Sequence, residues 1–141
     1  MRSINKLSDK HISQLHQYYQ NEWWSEGRTL EETTLCINNS HVVGILDEHD
    51  DLIAFSRVLT DGIFKAQIYD VIVSDEYRGH GIGKRLLEEI KTHKALKRVK
   101  HIELYCKPDM VPFYEKYGFD CDLDDVTLMR YSNAQQSKSY R

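Results

Sequence analysis

The sequence predicts an α/β fold: a mixed, mostly antiparallel central sheet flanked by helices. Three observations predict it. The apolar spacing changes at about residue 41 from helical to strand-like. Asp61-Gly62, between two strand-like runs, is the strongest hairpin signal in the chain. The apolar stretch Val71-Ile72-Val73 then leads through Tyr77–Lys84, YRGHGIGK, into a helical pattern, RLLEEI.

The elements follow in order. Ser3-Ile4-Asn5 makes a short strand. Ser8 or Asp9 caps a helix to about Tyr19, with Ile12, Leu15 and Tyr19 at helical spacing. An aromatic, charged connector follows, NEWWSEGR. Thr29 caps a second helix, TLEETTLCI, and Glu32 completes its capping box. HVVGILDE and LIAFSRVLT are strands joined by the acidic turn Asp47–Asp51. Asp61-Gly62 turns the chain into FKAQIYDVIV, so three strands form an antiparallel meander. The helix after the glycine loop reaches about Ala95, with Ile82, Leu86 and Ile90 as its apolar stripe. VKHIELYC is another strand. Asp109 caps a helix ending at Tyr117, with Pro112 in its first turn and Gly118 as its left-handed stop. TLMRY is a last strand. These elements make one domain over residues 1–131; 132–141 form a polar, flexible tail.

The chain has 141 residues, 40% hydrophobic and 29% charged, with a net charge of −3. That balance gives no general attraction to nucleic acid or to an anionic membrane. The three cysteines, Cys36, Cys106 and Cys121, form no CxxC pair, and the histidines lack metal-ligand spacing, so no metal is expected. The N-terminal stretch has no apolar signal core, and no apolar run approaches the ~20 residues of a membrane span. A reducing, cytoplasmic setting is the expectation.

The glycine loop carries the functional signal. A helix start leaves amides without partners and bears partial positive charge, and a glycine-rich lead-in lets an anion approach. A P-loop fails here, because Arg78 and Arg85 occupy defining positions. The dinucleotide fingerprint fails because Lys84 stands where its third glycine belongs. The pattern Arg/Gln-x-x-Gly-x-Gly/Ala does fit, at Arg78, Gly79, His80, Gly81, Ile82 and Gly83. With DVIVSDEYRGHGIGKRLLEEI around it and PFYEKYGF at 112–119, the chain resembles the GNAT superfamily of acyl-CoA-dependent N-acetyltransferases over roughly residues 2–131. RVLTDG, IYDVIV and YRGHGIGK together also resemble the plant-type serotonin N-acetyltransferase branch and its bacterial relatives, a pointer toward arylalkylamines or lysine side chains.

The resemblance implies acetyl-CoA as co-substrate and a primary amine as acceptor, with direct attack. It implies that Arg78, Gly79, His80, Gly81, Ile82, Gly83 and Lys84 wrap the pyrophosphate. It implies that Val71, Ile72 and Val73 pair through their backbone with the pantetheine arm, and that Tyr114 lies beside the thioester sulfur. An ordinary Tyr pKa of about 10 against a thiol's 8.5 makes full proton transfer to the thiolate uphill by roughly 2 kcal/mol, so hydrogen-bond donation suits Tyr114 as well as acid catalysis. Asp70 interrupts an apolar run and is either structurally paired or poised as a base; Glu103 is a weaker candidate. Trp23, Trp24 and Arg28 either line the acceptor pocket or staple a helix to the sheet, and Arg57 and Asp61 are similarly placed. Lys107 stands where many family members carry Asn. Cys106 lacks an activating His, because His101 falls on the opposite strand face. A homodimer stays open. So do a CoA-binding sensor that has lost catalysis and, against the failed motifs, a nucleotide-binding protein.

Overall fold

The computed structural model describes residues 1–133. Its sheet has five strands in the order β1-β2-β3-β4-β5: β1 (Arg2–Ile4), β2 (His41–Leu46), β3 (Leu52–Thr60), β4 (Lys65–Val73) and β5 (His101–Glu103). The first four are antiparallel neighbours, and β5 runs parallel to β4. The β3–β4 hairpin closes because the Asp61 carboxylate accepts from the backbone N–H groups of Ile63, Phe64 and Lys65 at 2.9, 2.8 and 3.2 Å. Asp61 therefore builds a turn.

Helices cover both faces. α1 (Asp9–Gln20) starts at Ser8, whose side chain accepts from His11 N–H, and α2 (Leu30–Asn38) starts with the Thr29–Glu32 capping box. Leu15, Tyr19 and Ile37 from this side pack on Val42, Leu46, Phe55 and Ile72. On the other face, α3 (Ile82–Lys91) buries Ile82, Leu86, Leu87 and Ile90 against Val43, Ile45, Val58 and Ile68. α4 (Val111–Glu115) adds Tyr114 to that second core. Among the described residues, no helix is long and apolar enough to cross a membrane.

One irregularity in β4 shapes the site. Arg57 faces Tyr69 and Phe55 faces Ile72, so Ser56 stands opposite two residues, Asp70 and Val71. This is a β-bulge. Asp70 occupies the left-handed region, φ +57°, which for an L-residue costs on the order of 1 kcal/mol. Buried Ser56 donates its hydroxyl to the Tyr69 carbonyl at 2.8 Å, satisfying that acceptor within the broken ladder. The bulge also preserves the faces. Ala66 and Ile68 before it, and Val71 and Val73 after it, all point to the α3 side, whereas Ile72 points to the α1 side. A strand without the extra residue would turn one of these sets to the wrong face.

The structure corrects several expectations. The run 99–106 yields only three strand residues, because β4 pairs with β5 only at Lys65, Ala66 and Gln67 and then diverges. α3 stops at Lys91; His93 is extended and caps a separate 3-10 turn at Lys94–Leu96. Asp109 does not cap the last helix. Pro108–Met110 form a 3-10 turn with Lys107 at its start, and α4 begins afresh. Met110, the last residue of that turn, stands at the N-cap of α4, so Asp109 lies before the helix start. TLMRY is irregular rather than a strand, with Leu128, Met129 and Tyr131 exposed. Most of the tail expected at 132–141 lies outside the described residues.

Candidate active site

Two left-handed glycines shape the entrance to α3. Gly79 has φ +82° and Gly81, at the N-cap, has φ +77°; a Cβ built on either meets nothing within 4 Å. The first backbone bond of the helix is Arg85 N–H to Gly81 C=O, at 3.1 Å. Among the described residues, the amides of His80, Gly81, Ile82, Gly83 and Lys84 donate to no protein acceptor. No acid lies in the first turn to offset its partial charge. His80 and Lys84 are exposed beside it. Arg78 is anchored at the rim, donating from Nε to the Val73 carbonyl at 3.4 Å and meeting Asp75 at 3.1 Å. The loop is an open concavity of main-chain donors, the arrangement that binds phosphate oxygens. Gly83 serves packing instead: a Cβ there would lie 3.1 Å from the Phe113 ring of α4.

The cradle continues into the free edge of β4. Ser74 N–H bonds the Ile53 carbonyl, so Ile72 also faces β3, and by alternation the main-chain groups of Val71 and Val73 face away, toward the side where β5 has diverged. The residues expected to bind the arm thus divide: Val71 offers its backbone groups and Val73 its N–H to an extended ligand, the Val73 carbonyl being taken by Arg78, and buried Ile72 serves the core.

Tyr114 lies across this gap on α4. Its ring packs edge-on against Phe113 and Phe119, with centroids 5.1 and 5.9 Å away. Its hydroxyl has no protein partner among the described residues, and no side-chain polar atom there is both buried and unsatisfied, so that hydroxyl reaches solvent. Burial, with a smaller push from Cys106, raises the phenol to about 12. It stays protonated and available as a donor.

Asp70 is held by three donors on one oxygen. Tyr19 Oη, Arg28 Nη1 and Arg57 Nε reach Oδ2 at 2.8, 3.0 and 2.7 Å. Its side chain is 6% exposed. Burial alone would raise the carboxyl, but the guanidiniums of Arg28 and Arg57, with hydrogen bonds from Arg57 and Tyr19, outweigh it and hold Asp70 below the usual range. Burial and then Asp70 push the Tyr19 phenol far up, so Tyr19 is a fixed donor. A carboxylate so stabilised is a poor proton acceptor, and this geometry supports a structural task rather than the base expected from the sequence. Glu103 pairs with Lys65 on the surface at 3.2 Å.

This pairing gives a signed stability prediction. The folded carboxyl titrates below its unfolded value of about 3.9, so its contribution is complete above that value and is lost as pH falls through the folded pKa. At neutral pH Asp70→Asn should destabilise by about 3 kcal/mol. Urea melts should show this gap closing as pH falls below about 4; a constant gap would contradict the assignment.

The connector residues divide in the same way. Trp24 packs edge-on to Tyr19 at 6.1 Å, with the Arg28 guanidinium 4.4 Å from the Tyr19 ring centroid. Trp24 and Arg28 therefore tie α1 to the bulge. Trp23 is 52% exposed, with Lys107 Nζ 4.4 Å from its ring centroid. Lys107 leads by two residues to Tyr105, which packs edge-on to Tyr69 at 6.2 Å. Tyr69 and Tyr105 thus form an aromatic pair beside the Asp70 cluster, through the Arg57 guanidinium over the Tyr69 ring, and Trp23 stands apart against Lys107. Sequence reasoning missed Tyr19 and Ser56. An isolated Asp in an apolar strand signals that partners exist, but not which ones.

The chain as a whole is similar to known acetyltransferases. The acetyltransferase (GNAT) domain family matches residues 38–121. "Uncharacterized N-acetyltransferase ycf52" of Pyropia yezoensis is 30% identical over 134 residues, covering 91% of this chain and 76% of that protein. "Serotonin N-acetyltransferase 2, chloroplastic" of Oryza sativa subsp. japonica is 31% identical over 113 residues, covering 77% of this chain and 56% of that protein. A putative GNAT acetyltransferase from Xanthomonas campestris shares the fold with a TM-score of 0.80 at 24% identity, with 94% of each chain covered. With a domain match across more than half its length and N-acetyltransferase relatives at this identity, the chain belongs to the GNAT family of acetyltransferases.

Proposed function

We propose that this enzyme transfers an acetyl group from acetyl-CoA to a primary amine by direct attack, with a small arylalkylamine as the acceptor class. The observation that carries the reading is the run of unpartnered amides from His80 to Lys84 behind two left-handed glycines. These amides would hold the pyrophosphate, with Arg78 and Lys84 adding charge. The Val71 and Val73 main chain would pair with the pantetheine arm. Acetyl-CoA supplies the activated thioester. As the amine nitrogen bonds to the acyl carbon, the carbon–sulfur bond breaks and the amine proton leaves to water.

Tyr114 then donates a hydrogen bond to the sulfur. At about 12 its phenol lies well above a thiol, so handing over the proton would be uphill by about 5 kcal/mol, and donation without transfer is the cheaper course. Trp23, Tyr69 and Tyr105 would border the acceptor, in keeping with the name of the rice relative. The test is free-thiol release from acetyl-CoA with a panel of amines. Tryptamine-like amines should be turned over faster than aliphatic amines or a lysine peptide. Tight CoA binding without thiol release for any amine would favour the non-catalytic sensor.

A further inference from the structure

We propose that Tyr19, Arg28, Arg57 and Asp70 form a positioning unit that fixes the β4 bulge and so aims the Val71 main chain at the acyl-binding edge. The proposal rests on the reading of that edge as the thioester side of the site. Three facts lead to it. First, the bulge sets the phase of β4. Lys65 C=O accepts from Asp61 N–H on the β3 side, so Gln67 and Tyr69 face β3 before the bulge, and Ile72 and Ser74 face it afterwards. Without the extra residue, Val71 and Val73 would point their polar groups into β3, and the free edge would lose them.

Second, the bulged residue is not a glycine. Asp70 must be kept in the left-handed region by its surroundings. Third, the groups that keep it there come from three separate segments: Tyr19 from α1, Arg28 from the connector and Arg57 from β3. Arg57 is braced in turn over the Tyr69 ring at 4.7 Å. Arg28 belongs to the segment that carries Trp23, so the same carboxylate sets the acceptor-side connector against the acyl-binding edge. The Cys36 thiol of α2 and the Tyr69 phenol are further titratable groups close to this cluster.

The alternative is that Asp70 takes the proton of the amine; among the described residues its Oδ1 receives no protein donor. Arg57→Gln, Asp70→Asn and the double variant of the full chain separate the two. A positioning unit predicts kcat lower by about 100-fold in each single variant at every pH, the double variant no worse than the worse single, and a displaced Val71 amide resonance without ligand. A proton acceptor predicts that Arg57→Gln merely moves the acidic limb of the pH profile upward and regains wild-type kcat at high pH. That recovery, or an unmoved Val71 resonance in both single variants, would overturn the proposal. Should the wild type bind no acetyl-CoA, the reading of the edge fails on its own, and the Val71 resonance still judges the bulge. Thermal melts identify any variant that does not fold; Arg57→Lys then replaces Arg57→Gln, and because it keeps the charge beside Asp70 the Val71 resonance decides, displaced supporting the proposal and unmoved overturning it.

Discussion

Tyr114→Phe is expected to lower kcat by about 100-fold, the scale of removing one preorganised donor from a developing negative charge. The acetyl-CoA dissociation constant should stay within about twofold, because this donor acts on the departing sulfur and contributes little before it departs. The structure makes the substitution clean. The ring belongs to the core between Phe113 and Phe119, and phenylalanine fills the same space. The hydroxyl bonds no protein group among the described residues, so its loss orphans nothing within the fold. Because burial holds the phenol at about 12, its ionisation does not set the alkaline side of the pH profile. Steady-state kinetics with calorimetric titration checks both halves; wild-type kcat would remove Tyr114 from the chemistry.

Gly81→Val should weaken acetyl-CoA binding by about 100-fold or more and stability by much less. Two effects add. At φ +77° a β-branched residue is strained by about 1–2 kcal/mol, which tilts the loop away from the conformation that gathers its amides. The new side chain also adds bulk beside the loop amides, in open space where a Cβ meets no protein atom within 4 Å. The same emptiness spares the fold a clash. Gly83→Ala is the contrasting control, since its Cβ would press on Phe113 at 3.1 Å and should disturb the α3–α4 contact. Calorimetry and thermal melts on both variants separate the effects; unchanged affinity in Gly81→Val would refute the cradle.

Legibility from sequence followed the range of the interactions. Ser8, the Thr29–Glu32 pair, the Asp61-Gly62 turn and the Ile82–Ile90 stripe are decided within a few residues, and each stands where the sequence puts it. The glycine loop is equally local. The Asp70 cluster is not, because its donors lie 13, 42 and 51 residues away and only the folded sheet assembles them. The bulge was hidden for the same reason, since it exists only as a mismatch between β3 and β4. Pro112 is a tolerated first-turn residue of α4, as its position predicts, but no local signal announces that a separate 3-10 turn takes up Pro108–Met110 before it. VKHIELYC and TLMRY carry strand-like patterns without a matching length of partner, and pattern alone does not supply one.

Titration of isotope-labelled protein with acetyl-CoA, followed through backbone amide resonances, tests the central claim most directly. The account predicts the largest shifts at Gly79–Lys84, with a second group at Val71 and Val73 and little change in α1 or β1. Saturable binding that moves other amides and leaves the Gly79–Lys84 turn untouched would contradict it.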